Sequence, residues 1–234
     1  MSQAQKKTKA AAMNKKKSPA KPADSFFSHF KKHVSKSDWL RIGDADMGKL
    51  IKNLYGWVEK RPAKHHKIRV YNVDEKAHGW QCNNTVIEII NDDMPFLIDS
   101  VASELGHQNF QIAYLFHPVL AIDRKKSGLV EKVGNNIEEA RLRGGLESVI
   151  HIQLEQFLPA SACAHLEKQL SGILDDVRLA TTDWKLMLAR LRDVINTIEI
   201  EQADGGEHEH NIEAVDFLEY VYKNNFTLLG YREY

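Results

Sequence analysis

The sequence predicts an α+β fold, and three observations carry that prediction. Met47, Leu50, Ile51, Leu54, Tyr55 and Val58 recur at the three-and-four spacing of one buried helix face. Thr85 to Ile90 is a β-branched run, the composition of a strand packed on at least one face. Beyond Pro159 helical spacing returns, from Leu166, Leu170, Leu174 and Val177 to Trp184, Met187, Leu191, Ile195 and Ile198.

Taken in order, the elements are as follows. Residues 1–24 are Lys, Ala, Ser and Pro with no apolar period, too little to offset the entropy of ordering, so a disordered basic arm is expected. A helical lead-in occupies 25–62: Phe26, Phe27, Phe30 and Val34 lie at helical offsets, and a second helix is capped by Asp44 or Asp46 and stopped at Arg61-Pro62. An α+β module spans 63–180. It opens with the β-like run Ile68 to Val73 and a strand over 84–91. Pro95 suits the first position of a helix over 95–107, with Asp92 and Asp93 beside its exposed amides and Gly106 at its end. In the next strand, 111–123, Pro118 requires an edge, a bulge or a break. Lys125 to Gly145 is polar and glycine-containing, and a mobile loop is expected. The strand over 147–156 alternates Val149, His151, Gln153 and Glu155 with Ile150, Ile152 and Leu154, a half-buried pattern. A helix over 160–180 and a helical extension over 181–203 are separated at Thr181-Thr182-Asp183, since one unbroken helix at 1.5 Å per residue would reach about 60 Å. Residues 204–210, with Gly205-Gly206, read as a hinge. Residues 211–234 read as the truncated start of a further domain, a helix and then the strand FTLLGYREY. An unpaired β-edge there would be adhesive, so the chain reads as the front of something longer.

The 32 basic and 32 acidic residues cancel, but unevenly. Met1 to Pro22 carries seven lysines and no acid, leaving 25 basic against 32 acidic residues in the remainder. A body of net negative charge argues against a general nucleic-acid or acidic-membrane binder. The basic arm is read as a solubilising extension, with a nucleic-acid tether as the less favoured alternative. No apolar run is long enough for a membrane span and no secretory signal is present, so a cytoplasmic protein is expected. Cys82 and Cys163 are the only cysteines, too few for a secreted disulfide scaffold.

Most motifs fail on mechanism. Gly43 to Leu50 nearly matches a phosphate-binding loop, yet Leu50 has no hydroxyl for a metal, and Asp44 and Asp46 would repel phosphate. None of the 13 glycines forms the dinucleotide fingerprint, so no cofactor is expected on this chain. Glu207-His208-Glu209-His210 and His65-His66 lack metal-ligand spacing, and no metal is expected. The stretch NDDMPFLIDS is different, because Asn91, Asp92, Asp93 and Asp99 gather at a strand-to-helix junction. Adjacent acids there can receive the ammonium of an amino acid while helix amides receive its carboxylate, and Arg141 and Arg143 lie in a loop able to close over it. Plain capping accounts for the same acids without a ligand. The effector-binding set under the first reading is Asn91, Asp92, Asp93, Met94, Asp99 and Ser100.

HGWQCNNTVIEIINDDMPFLIDSVASEL, the His117-Pro118-Val119 strand, ESVIHIQL, LDDVRLATTDWKLM and FLEYVYKNNFTLLGYREY, in this order, resemble the N-terminal region of the large bacterial NAD-specific glutamate dehydrogenases. The resemblance covers about residues 78–234. It implies an ACT or ferredoxin-like antiparallel sheet with packed helices, flanked by helical segments. It further implies a regulatory or assembly role, with an amino-acid effector, the downstream domains of the same polypeptide and further copies of the chain as partners. The catalytic domain, with its NAD, would lie elsewhere in that polypeptide, and none of its catalytic residues has a counterpart here. An ACT module runs βαββαβ, and its fourth strand does not follow the helix over 160–180. The run Ile68 to Val73, arriving ahead of the module, is positioned to fill that edge. A purely structural packing module is the alternative.

Overall fold

The computed structural model describes residues 21–203, 208–226, 228, 230 and 232. Its centre is one antiparallel sheet, with strands β1 (Lys67–Asn72), β2 (Thr85–Asp92), β3 (Ile112–Phe116), β4 (Val119–Arg124), β5 (Val130–Gly134) and β6 (Leu146–Leu154). The order is β1-β2-β6-β4-β5, and β3 shares the β4 edge of β6. Phe116 lies opposite His151 and Val119 opposite Ser148, so β3 and β4 are one line of chain broken at His117-Pro118. Pro118 therefore acts as a break, because it has no N–H to give the ladder. β1 closes the edge beside β2, with Arg69 opposite Glu88. The result is the ACT-like α+β arrangement, with a strand from the N-terminal side in the fourth position.

The helices are α1 (Pro22–Lys32), α2 (Lys36–Ile42), α3 (Asp44–Val58), α4 (Glu75–His78), α5 (Leu97–His107), α6 (Ile137–Leu142), α7 (Ala160–Thr182), α8 (Trp184–Ala203) and α9 (His208–Tyr220), with a π-helical turn at Val221–Asn225. One face of the sheet packs Ile87, Ile89, Ile150 and Ile152 against Val101 and Leu105 of α5 and Leu166, Leu170 and Leu174 of α7. The other packs Val86, Ile90 and Val149 against Phe26 and Phe30 of α1 and Met47, Leu50, Ile51 and Leu54 of α3. Each such side chain stabilises the fold by about 2 kcal/mol relative to exposure.

Several boundaries differ from those the sequence suggests. The first 20 residues, most of the expected arm, lie outside the described residues, but Pro22–Asp24 already belong to α1, where proline suits a helix start. The run Lys36–Ile42 forms a helix of its own, capped by the Ser35 side chain. α5 begins at Leu97, two residues later than Pro95 suggests, because β2 continues through Asp92 and Phe96 takes a left-handed conformation at φ 67°. The expected loop over 125–145 contains β5 and α6. Of the expected hinge, 204–207 lie outside the described residues and His208 already starts α9. Phe226, Leu228, Gly230 and Arg232, the described members of the closing run, form no strand.

The largest difference concerns β6, which is buried on both faces. Its polar alternation marks a satisfied internal row. Arg69 Nε donates to Glu88 Oε2 at 2.6 Å, and His151 Nδ1 lies 2.9 Å from Glu88 Oε1. With the proton on Nδ1, His151 Nε2 accepts from Gln153 Nε2 at 3.1 Å, and Gln153 Oε1 accepts from the Cys82 thiol at 3.4 Å. Phe116 stacks on His151 with centroids 5.8 Å apart. Helices α1 and α3 pack on this face, which is why polar residues at alternate positions are not at the surface.

Burial pushes the Glu88 carboxyl up, but the His151 and Arg69 contacts outweigh it and hold the group below the usual carboxylate range. Its stabilisation is therefore complete above the unfolded value of about 4.3 and is lost as pH falls below that toward the folded value. Urea titrations between pH 7 and 3 should show Glu88→Gln losing less stability across the acid window than the parent chain. At pH 7, Glu88→Ala should cost about 3 kcal/mol by stranding Arg69 in a covered site. An unchanged midpoint would refute the assignment.

Candidate functional site

The sheet ends in a charged hub. Asp92 at the end of β2 is opposite Glu147 near the start of β6, and Asn91 is opposite Ser148. Two neighbouring carboxylates repel unless cations separate them, and three arginines from different elements do so. Arg61, only 3% exposed, places Nη2 at 2.6 Å from Asp92 Oδ1 and 2.9 Å from Glu147 Oε1. Its Nη1 donates to the His65 carbonyl at 2.9 Å. Arg124 of β4 grips Glu147 through Nε at 2.7 Å and Nη2 at 2.9 Å. It also donates to the Val58 and Glu59 carbonyls at 3.0 and 3.2 Å, closing the C-terminus of α3, and to the Gly128 carbonyl at 2.7 Å. Arg178 of α7 meets Asp92 Oδ2 at 2.9 Å and donates to Asn91 Oδ1. Gly128 has φ +82°, and a Cβ there would sit 2.3 Å from the Arg61 carbonyl oxygen, so the β4–β5 turn tolerates no side chain against Arg61.

The electrostatics follow from this geometry. Burial works against the Arg61 cation, but Glu147 and Asp92 more than offset it and raise its pKa above the ordinary value. Burial likewise raises Asp92, while Arg61 and Arg178 pull it further down, so it stays ionised. Two buried donors of the hub, Arg61 Nε and Asn91 Nδ2, have no partner among the described residues.

Above the hub is an open cavity of about 520 Å³ whose lining includes Arg61, Lys64, Asp92, Asp93, Arg141 and Glu147. Asp93 Oδ1 accepts from Ser148 Oγ at 2.7 Å, and Ser148 Oγ lies 3.1 Å from His117 Nε2. Burial lowers the His117 pKa, against the attraction of Asp93. Among the described residues, the side chains of Lys64 and Arg141 have no hydrogen-bond or ion-pair partner. The cavity thus combines two free cations with a carboxylate that keeps one oxygen uncommitted.

The six residues singled out by sequence do not converge. Asn91 and Asp92 belong to the hub, and Asp93 lines the cavity. Met94 turns to α7, where its sulfur accepts from Thr181 Oγ1 at 3.5 Å. Asp99 and Ser100 line a separate groove of about 640 Å³ between α5 and α7, with Phe96, Glu104 and Asp176. The acids do not cap the helix, since α5 has no side-chain cap and the longer β2 carries Asp92 to the sheet end first. Arg143 pairs with Asp123 at 2.9 Å, leaving Arg141 as the cavity arginine of that pair. Arg61, Lys64, Arg124, Glu147 and Arg178 were not legible as site residues. The available signal was isolated charge inside apolar patterns, as in Glu147 before SVIHIQL and Arg178 in LDDVRLATT.

The weaker motifs resolve structurally. Asp44 opens α3 and accepts from the Trp39 indole, so Gly43 to Leu50 holds a helix and no phosphate loop. His66 bonds Ser171 Oγ at 2.8 Å and lies 3.5 Å from Asp175. Among the described residues no group of three or more His, Cys, Asp or Glu could hold a metal ion, and no helix is long and apolar enough to cross a membrane. Cys82 and Cys163 are free thiols.

A family model described as glutamate dehydrogenase, ACT1 domain, matches residues 26–170. The NAD-specific glutamate dehydrogenase of Halomonas elongata is 32% identical over 185 residues, which cover 78% of this chain and 11% of that protein. The NAD-specific glutamate dehydrogenase of Pseudomonas aeruginosa is 29% identical over 174 residues, 72% of this chain and 10% of that protein. The chain spans about a tenth of the length of these curated relatives.

Hub and cavity mouth should respond differently to mutation. Arg61→Ala leaves Asp92 and Glu147 partly uncompensated in a buried site and should cost about 3 to 5 kcal/mol in urea unfolding. Lys64→Ala and Arg141→Ala remove unpartnered surface cations and should stay within about 0.5 kcal/mol of the parent. Equal costs at all three positions would contradict the division.

Proposed function

The chain belongs to the glutamate dehydrogenase ACT1 family, and from that premise we propose that it is a regulatory and assembly region of an NAD-dependent glutamate dehydrogenase, with an amino-acid effector held in the cavity over the Arg61 hub. The parent reaction under this reading is oxidative deamination of L-glutamate to 2-oxoglutarate and ammonia with NAD⁺. The residues present do not fit NAD. Every strand pair described is antiparallel, so there is no crevice at the carboxyl ends of parallel strands, and none of the 13 glycines forms the dinucleotide fingerprint. The redox chemistry is assigned to other parts of the polypeptide.

The observation that carries the reading is the pairing of unpartnered Lys64 and Arg141 with Asp93 around one cavity. A zwitterion has the complementary charges, its carboxylate for the two cations and its ammonium for Asp93. The cavity floor is continuous with Asp92, which Arg178 ties to α7, and α7 leads directly into α8. A ligand that draws on Arg61 or Asp92 changes the grip on α7, which is the differential contact an allosteric effector requires. The second reading is a packing module without a ligand. It rests on the fact that Asp92 and Glu147 are each already held by two arginines, Asp92 by Arg61 and Arg178 and Glu147 by Arg61 and Arg124.

Melting the chain across the amino acids separates the two readings. An effector at 100 times its dissociation constant should add about 2.7 kcal/mol, and Arg141→Ala or Lys64→Ala should remove that gain without moving the ligand-free melting temperature. If no amino acid stabilises the chain, the packing reading stands; if the gain survives both substitutions, the ligand sits elsewhere and the cavity assignment is wrong.

A further inference from the structure

A second pair of features lies away from the hub and does not depend on the effector reading. Helices α1 and α2 border an open groove of about 930 Å³. Phe27, Trp39 and Leu40 supply its apolar surface, and Leu40 is 81% exposed. Lys31, Lys32 and Lys36 rim it, with Lys31 Nζ 4.5 Å from the Trp39 ring centroid. Asp44 also lines it, but its carboxylate takes the Trp39 indole N–H. The groove is thus apolar within and basic at the rim.

Helix α9 has the opposite character. Ile212, Phe217 and Tyr220 are 54%, 58% and 52% exposed, and Glu213 and Asp216 between them are exposed as well. At 3.6 residues per turn these five positions occupy an arc of about 140°, so they form one continuous stripe. Phe226 packs its ring on Phe217 and Tyr220, at centroid distances of 6.3 and 6.1 Å, and is itself 54% exposed. Glu219 of this helix is committed to Arg192 and Lys223. An aromatic stripe left in water is a docking surface more often than a solvated face.

We propose that α9 of one copy of this chain seats in the α1–α2 groove of another, with Ile212, Phe217 and Tyr220 against Phe27, Trp39 and Leu40, and with Glu213 and Asp216 against Lys31, Lys32 and Lys36. The occupant is a second copy because the acidic apolar stripe and the basic apolar groove are complementary and both remain open among the described residues of one chain. This is an amphipathic helix in a hydrophobic groove, with the charges setting the orientation. The contact joins two different surfaces, so it closes into a two-fold dimer where it is reciprocal and extends head to tail where it is not.

Light scattering after gel filtration tests this on the 234-residue chain. The mass should rise above the monomer's 26.7 kDa with concentration and fall back toward it in high salt. The groove variant Lys31→Glu/Lys32→Glu/Lys36→Glu and the helix variant Glu213→Lys/Asp216→Lys should each be monomeric with unchanged circular dichroism. Mixed in equal amounts, they should regain the association of the parent chain, because the reversed charges again match. Leu40→Gln and Phe217→Gln, both at exposed positions, should weaken the association without charge reversal. A monomeric parent chain at every concentration overturns the proposal. So does association that persists in both charge variants, or two monomeric variants that fail to recombine.

Discussion

A guanidinium with almost no access to water is what the rest of the fold is arranged around. Arg61 lies between α3 and β1, and its two bridged acids, Asp92 and Glu147, stand on adjacent central strands. Without a cation between them, those carboxylates would oppose the pairing of β2 with β6 at the point where the ladder ends. The compensation spreads through Arg124, which also closes α3, and Arg178, which reaches in from α7. One ion cluster thereby fixes the helical lead-in, the sheet and the long helix behind it in a single geometry. Buried ionic groups are an inefficient source of stability compared with apolar packing. Their value here is geometric, since an arginine fork accepts only a few of the arrangements that a cluster of leucines would accept.

The sheet carries its second polar device on the face covered by the lead-in helices, where Arg69, Glu88, His151 and Gln153 run across three strands. This row differs from the hub in a telling way. Among the described residues it borders no cavity with unpartnered charge, whereas Lys64 and Arg141 stand free beside the hub. A closed polar network specifies how layers stack, whereas the two cations beside the hub have no such partner among the described residues. That contrast, more than the presence of charge, sets the strand-end cavity apart from the remaining polar positions.

Elements with a single strong period were legible in the sequence. α3, α7, β2 and the break before α8 follow from residues that any reader can count. The failures share one cause, which is that a residue's type does not say what covers it. The alternation in ESVIHIQL reads as one wet face because His151 and Gln153 are polar, and only the docking of α1 and α3 shows that their partners are Glu88 and Cys82. Asp92 and Asp93 read as helix caps because Pro95 follows them. The sheet takes Asp92 first, in the ladder opposite Glu147, and Arg61 and Arg178 then pair with its carboxylate. Arg61 looked like the end of a helix, and its role depends on residues 31 and 86 positions away.

The edge strand β1 has a consequence for how this polypeptide can be divided. In a plain βαββαβ unit the last strand returns beside the first, and the unit can be cut out at its own two ends. Here the strand beside β2 comes from ahead of the unit, and the segment after α7 is released to run on as α8. A piece trimmed to begin after Asn72 would expose the outer edge of β2 over Thr85–Ile90 as a bare ladder of amides and carbonyls lined with Val86, Ile87, Ile89 and Ile90. Such an edge recruits strands from other molecules. The smallest self-contained unit therefore includes β1 together with Arg61 just before it, and domain limits drawn from the repeat of strands and helices alone would fall inside the structure they were meant to enclose.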